Sequence, residues 1–232
     1  MSGSVVVGHA DAGRAAVRPP LDLRVYLVTD AELCGERGVV ATAREAAVAG
    51  ATLVQLRDQT GSDADLIDVG RRLRAALHDT GVPLVVNDRV DLVSPIGAAG
   101  AHVGQGDLDP TTAREVLGPG AYLGLSVQSV EHVDAALALP AGTLDYLGAG
   151  PVWSQDTKPD AAPPCSPEVL ADIVRLSPWP CVAIGGIHPP RVAAVRHAGA
   201  AGVAVVSAIC GQLDVRAATR RLRTAWEAAP NE

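Results

Sequence analysis

Residues 181–209, CVAIGGIHPPRVAAVRHAGAAGVAVVSAI, contain one complete strand–helix–strand unit. Cys181–Ile184 is a short apolar run, and Pro189–His197 is an Ala/Val-rich stretch entered through prolines. Gly199 stands where that helix should stop, and Gly202–Val206 is apolar again. Short runs of continuous apolar character belong to strands buried on both faces, the condition of parallel strands covered by helices. Proline fits the first helical turn because its missing N–H has no partner there. Glycine fits the residue after a helix because it tolerates a left-handed backbone.

The same alternation extends in both directions. Strands are predicted at Arg24–Thr29, Thr52–Leu56, Pro83–Asn87, Ala101–Val103, Ala121–Ser126 and Asp145–Gly148, besides the two just quoted. Helices are predicted at Val39–Ala49, Asp63–Asp79, Val90–Ile96, Thr111–Leu117, Val130–Leu137 and Pro167–Leu176, then Pro189–His197 and Gln212–Ala228. Asp63, Thr111 and Ser166-Pro167 read as helix starts, and Gly50, Gly81 and Gly199 as stops. Repeated strand–helix units in a chain of 232 residues predict one α/β domain, a single (β/α)₈ TIM barrel over residues 21–232. An open doubly wound sheet would call for G-x-G-x-x-G after its first strand, and Val28-Thr29-Asp30-Ala31 follows instead. Residues 1–20 read as a disordered N-terminal extension without the layout of a signal peptide.

Charge and composition narrow the function. The net charge of −7 argues against nucleic acid or an anionic membrane as partner, and no apolar run is long enough to span a bilayer. Cys34, Cys165, Cys181 and Cys210 have neither C-x-x-C spacing nor a Cys/His cluster, so free thiols in a cytoplasmic protein are expected. Lys158 is the single lysine of a chain whose other basic residues are all arginine. A compact ammonium differs from a planar guanidinium fork, which makes that position a candidate for a point-charge contact.

In such barrels the chemistry sits at the carboxyl ends of the strands. Asp88 and Asp107 follow strands three and four, and hard carboxylate oxygens so placed suit Mg²⁺ together with substrate phosphate. A salt bridge or a helix cap is the alternative role for each. Arg57, Asn87, Ser126 and Lys158 come from four strand ends and suit a diphosphate. An ion pair with Asp58 or another acid is the alternative for Arg57. Gly185-Gly186 and Val206-Ser207 follow strands seven and eight, where barrels hold a monophosphate on backbone N–H groups. His102, alone in an apolar strand, reads as a packed and satisfied histidine rather than a catalytic one.

The stretches YLVTD (26–30), QLRDQT (55–60), VNDRVDL (86–92), AHVGQGDL (101–108), GLSV (124–127), DYLGAGPVW (145–153), DTKPD (156–160), AIGGI (183–187) and VAVVSAI (203–209) resemble the thiamine-phosphate synthase family in order and spacing. The resemblance runs from Tyr26 to Ile209. It implies a transferase that joins hydroxymethylpyrimidine diphosphate to a thiazole monophosphate and releases diphosphate. By that match Asp88 and Asp107 would hold Mg²⁺. Arg57, Asn87, Ser126 and Lys158 would bind the diphosphate, and Gln55 the pyrimidine. Thr157, Gly186, Val206 and Ser207 would hold the thiazole and its phosphate. Arg57, Ser126 and Lys158 would be the catalytic groups, stabilising the charge of the leaving group.

The chain departs from the family pattern at Gln59, where lysine is usual, at Ser154-Gln155, where Pro-Thr is usual, and at Cys165–Ser166, where glycine is usual. These departures motivate a divergent paralogue that couples another heterocycle. The related thiazole tautomerase is a further alternative. It carries a histidine just after the strand-five serine, where this chain has Val127-Gln128. A catalytically dead phosphate-binding scaffold is the last, disfavoured by Lys158. Apolar helix faces leave room for a homodimer.

Overall fold

The computed structural model describes residues 19–154 and 163–230. Its strands are β1 Val25–Val28, β2 Leu53–Leu56, β3 Leu84–Asn87, β4 Gly100–Val103, β5 Tyr122–Val127, β6 Tyr146–Ala149, β7 Cys181–Ile184 and β8 Gly202–Val205. They pair in parallel, each with the next, and β8 returns to β1, which closes the barrel. The (β/α)₈ expectation holds. The expected N-terminal extension falls outside the described residues except for Pro19 and Pro20. The carbonyl of Pro19 accepts a 2.7 Å hydrogen bond from the Tyr122 hydroxyl.

The helices that cover the barrel are α2 Gly38–Ala49, α3 Asp63–Leu77, α4 Val93–Ile96, α5 Pro110–Leu117, α6 Val130–Leu137, α7 Ser166–Leu176, α8 Val192–His197 and α9 Val215–Ala228. A short α1, Ala31–Cys34, precedes them and was not expected from the sequence. A four-residue helix carries no periodicity to read, and Asp30 makes it by accepting from the N–H of Leu33 at 2.9 Å. Of the expected helix starts, the one at Asp63 holds and the one at Thr111 moves back by one residue, each set by its cap. Ser62 caps α3 in a reciprocal box with Asp65, so Asp63 is the first helical residue. Asp109 caps α5 with Pro110 at the first position, so Thr111 is not the cap. The expected helices at 90–96 and 189–197 each begin as a 3₁₀ turn, and the one at 212–228 starts later, at Val215 behind its cap Asp214.

Strand alternation divides the apolar residues into two layers. Outward positions such as Val25, Leu27, Val54, Leu56, Leu123, Leu125 and Val127 pack with helix residues such as Leu73, Ile173 and Leu222 in one continuous core. Inward positions form a second, smaller cluster of Leu23, Tyr26, Val28, Leu53, Val85, Tyr146, Val182 and Ala204. Each fully buried Leu or Val contributes about 1.5–3 kcal/mol relative to exposure, so the outward layer supplies most of the stability. The inward layer is mixed, and its polar members face the site.

Candidate active site

A cavity of about 240 Å³ opens at the carboxyl ends of the strands. Its walls include Gln55 from β2 and Arg57 just after it, Asn87 from β3, His102 from β4, Ser126 from β5 and Gly185–Ile187 after β7. Val206 and Ser207 close it after β8. The structure therefore brings together every expected substrate residue that lies among the described ones. Thr157 and Lys158, with Gln155, lie outside the described residues.

The inward register explains the convergence. Val28 pairs with Gln55, Asn87 with His102, His102 with Gly124, and Ser126 with Gly148. Gln55 is almost wholly buried, and its amide Nε2 donates to the Tyr26 hydroxyl at 2.6 Å. The Tyr26 and Tyr146 hydroxyls lie 3.0 Å apart. Nδ1 of His102 lies 3.1 Å from the Tyr146 hydroxyl, and its Nε2 lies 2.9 Å from the Ser126 hydroxyl. His102 is thus satisfied, as the sequence led one to expect, yet it also lines the cavity. Tyr26 and Tyr146 line or underlie the same space and carried no sequence signal, because Tyr reads as an ordinary strand residue. Burial pushes both phenols well above the usual tyrosine range, so they stay protonated.

Glycines make room for these rings. A Cβ on Gly124 would fall 2.2 Å from Cζ of Tyr146 and 2.4 Å from Nδ1 of His102, and one on Gly148 would fall 2.8 Å from Cε1 of His102. Glycine is required again at 185 and 186, both with positive φ, 100° and 63°. Side chains there would strike Pro151 and the carbonyl of Ser154. Arg191, not singled out by the sequence, donates to the carbonyl of Gly186 at 2.5 Å. Its guanidinium stacks 4.9 Å from the ring centroid of Trp153, tying the loop after β6 to the loop after β7.

Charge sits around the rim. Arg57 is only slightly exposed and stands 3.9 Å from Asp30, a long ion pair. Asp58 is not its partner; that carboxylate is held down in acidity range by the N–H groups of Thr60 and Gly61, which it accepts in a tight turn. Asp88 adopts a left-handed backbone, φ 58°, and accepts from the Asn87 amide at 2.6 Å. Asp107 accepts from the N–H of Gly104 at 2.7 Å and does not cap α5. Neither aspartate lines the cavity, but each is next to or near residues that do, Asn87 and Gly104–Gln105. Among the described residues no group of three or more His, Cys, Asp or Glu side chains is placed to hold a metal. Two carboxylates on neighbouring strand ends are nonetheless a donor set that suits Mg²⁺ when phosphate oxygens and water complete the shell.

The departures are also located. Gln59 is exposed in the turn after β2. Ser166 has φ 69°, a conformation that favours glycine, and its hydroxyl donates to Glu168 at 2.6 Å. Gln128 lines the wall beyond Ser126. No described helix is long and apolar enough to cross a membrane. The described cysteines are free.

Comparison with known proteins agrees with this architecture. The family model described as thiamine monophosphate synthase matches residues 25–209. The thiamine-phosphate synthase of Azorhizobium caulinodans is 45% identical over 208 residues, covering 90% of this chain and 97% of the relative. That of Roseiflexus sp. is 41% identical over 208 residues, covering 90% and 87%. The solved thiamine phosphate pyrophosphorylase from Pyrococcus furiosus superposes with a TM-score of 0.79 at 34% identity, covering 89% of this chain and 96% of that one.

Proposed function

The chain belongs to the thiamine monophosphate synthase family, and on that premise we propose that it is a thiamine-phosphate synthase. It joins hydroxymethylpyrimidine diphosphate to thiazole monophosphate and releases diphosphate. The observation that carries this reading is the single cavity lined by Gln55, Arg57, Asn87, Ser126, Gly186, Val206 and Ser207.

The reaction breaks the bond between the pyrimidine methylene carbon and the diphosphate oxygen, and both electrons leave with diphosphate. The thiazole nitrogen then donates its lone pair to the methylene carbon. No proton has to be removed, so the chemistry needs charge stabilisation rather than a base. Arg57 supplies a guanidinium for the leaving group, exchanging its long contact with Asp30 for phosphate oxygens. Ser126 and Asn87 supply neutral donors at the ends of β5 and β3. Lys158 and Thr157 complete the set by their place in DTKPD. Gly185-Gly186 and Val206-Ser207 receive the thiazole monophosphate on backbone close to the cavity.

Asp88 and Asp107 would hold Mg²⁺, which when bound with diphosphate neutralises part of the developing negative charge. Their hard oxygens and rim positions support that assignment, and the affinity of the ion depends on the anion that completes its shell.

The test is direct. Purified protein is incubated with both substrates and Mg²⁺, and thiamine phosphate and diphosphate are quantified. Lys158→Ala and a chelator serve as separate arms. Equal yields of both products that need Mg²⁺ and fall with Lys158→Ala are expected. Folded protein that forms neither product would sink the reading and favour a paralogue acting on another heterocycle.

A further inference from the structure

The polar side chains under the cavity are joined end to end: Gln55, Tyr26, Tyr146, His102 and Ser126, with spacings of 2.6, 3.0, 3.1 and 2.9 Å. They come from β2, β1, β6, β4 and β5, so the chain of bonds crosses the barrel interior from one wall to the other. Space for it is cleared by Gly124 and Gly148, where any side chain would collide with His102 or Tyr146. We propose that these residues form a hydrogen-bond relay of concerted polarity, through which a diphosphate at Ser126 sets Gln55 to accept from an exocyclic amine on the ring being transferred. This deepens the functional reading above and rests on it.

The direction follows from counting hydrogens. Diphosphate oxygens only accept, so Ser126 must spend its one hydroxyl hydrogen on the anion. Its oxygen is then left to accept from Nε2–H of His102. A neutral imidazole has one N–H, so Nδ1 is bare and accepts from the Tyr146 hydroxyl. The Tyr146 oxygen in turn accepts from the Tyr26 hydroxyl, and the Tyr26 oxygen accepts from Nε2 of Gln55. That leaves Oε1 as the Gln55 atom offered to the cavity. An acceptor there binds an N–H donor and opposes a ring carbonyl, which would place two acceptors face to face.

The opposite polarity is equally bonded internally but functionally reversed. If Ser126 gave its hydrogen to His102, then Nδ1–H would donate to Tyr146, Tyr146 to Tyr26, and Tyr26 to Oε1 of Gln55. Gln55 would offer its NH₂ and prefer a carbonyl. An imidazolium would turn the tyrosine side the same way. Binding of the anion therefore chooses between two orientations of an amide across the cavity. Tyr26, Tyr146 and His102 are positioning residues in this scheme, since they act through Gln55 and Ser126. The two phenols fit the part, because burial keeps them protonated and hence able both to accept and to donate.

Two measurements test the relay. The first is long-range ¹H–¹⁵N NMR on the full chain labelled at histidine, with His102→Asn to assign the signal, before and after saturation with inorganic diphosphate and Mg²⁺. The expected state of His102 with diphosphate is neutral, with Nε2 protonated and Nδ1 bare. An Nδ1-protonated ring or an imidazolium under saturation would overturn the relay while leaving the functional reading intact. Failure of diphosphate to bind the wild-type protein would remove that reading and the relay together.

The second measurement compares the aminopyrimidine diphosphate with its 4-oxo analogue in wild type, Tyr146→Phe and Tyr26→Phe. Either substitution cuts the chain of bonds with almost no change of shape. The preference for the amino substrate, read as a ratio of kcat/KM, should fall by about tenfold or more. The affinity for inorganic diphosphate should stay within about twofold, since Ser126 can still donate. An unchanged preference in both folded variants would overturn the proposal.

Discussion

Leu125 and Ser126 are neighbours on β5 and have opposite lives. Leu125 points outward into the core shared with the helices and is 5% exposed. Ser126 points inward, meets His102 and lines the cavity. The contrast repeats on other strands: Val54 against Gln55 on β2, Ala101 against His102 on β4, and Leu147 against Tyr146 and Gly148 on β6. The same eight strands thus carry stability on one face and chemistry on the other. Because successive residues never share a face, the inward set tolerates amides, hydroxyls and glycines that would weaken the outward one.

This division is broken or sharpened most strongly by the rim aspartates. Asp107→Asn should lower kcat/KM by roughly 10²–10³-fold, about 2.7–4 kcal/mol in the transition state, and raise the Mg²⁺ concentration needed. Steady-state rates across a Mg²⁺ titration check this, and an unchanged Mg²⁺ requirement would remove Asp107 from the metal site. A smaller effect is expected where the two faces touch. Gly124→Ala puts a methyl against Tyr146 and His102, and should cost about 1–3 kcal/mol by overpacking. Urea unfolding measures that cost, and the rate should fall with it because the displaced rings, Tyr146 and His102, underlie or line the cavity.

Smaller still is the clamp of Arg191 between Gly186 and Trp153. Arg191→Lys should raise KM for thiazole phosphate by a few-fold, given about 0.5–2 kcal/mol for a guanidinium stacked on indole. KM for the pyrimidine diphosphate should not follow. The smallest effect belongs to the surface. Arg44 and Asp79 form a bidentate pair between α2 and the turn after α3. Arg44→Ala should leave both stability and rate within experimental error, as exposed pairs are worth little.

Much of this was legible in the chain itself. Strands were read from apolar runs, and β7 fell where the sequence put it, at Cys181–Ile184, because its boundaries are marked by Pro180 and Gly185. Gln55, Arg57, Asn87, Ser126, Gly186 and Ser207 were legible as polar or glycine positions at strand ends, Val206 as the residue beside Ser207, and they line one cavity. Less was legible in the layer beneath. Tyr26 and Tyr146 lie far apart in sequence, and apolar runs buried on both faces hide which residues point inward. His102 had no neighbour in sequence to mark it as part of a bonded chain. Its partners Tyr146 and Ser126 become visible only when the strand register sets His102 beside Gly124 and Gly124 beside Tyr146. Helix α1 was missed because a capping aspartate and four residues carry no period. The glycine-like position of Ser166 was hidden until φ was known, and it explains why glycine is the usual residue of the family pattern there.

The central claim, that opposite faces of one strand divide stability from catalysis, is tested most directly by substituting its two neighbours. Leu125→Ala and Ser126→Ala would each be measured by urea unfolding and by the rate of thiamine phosphate formation at 25 °C. Leu125→Ala should lose about 2–5 kcal/mol of stability and keep kcat within about twofold while folded. Ser126→Ala should unfold within about 1 kcal/mol of wild type and lose about 10²–10³-fold in rate. A Leu125→Ala protein that is as stable as wild type, or a Ser126→Ala protein that turns over normally, would contradict the account.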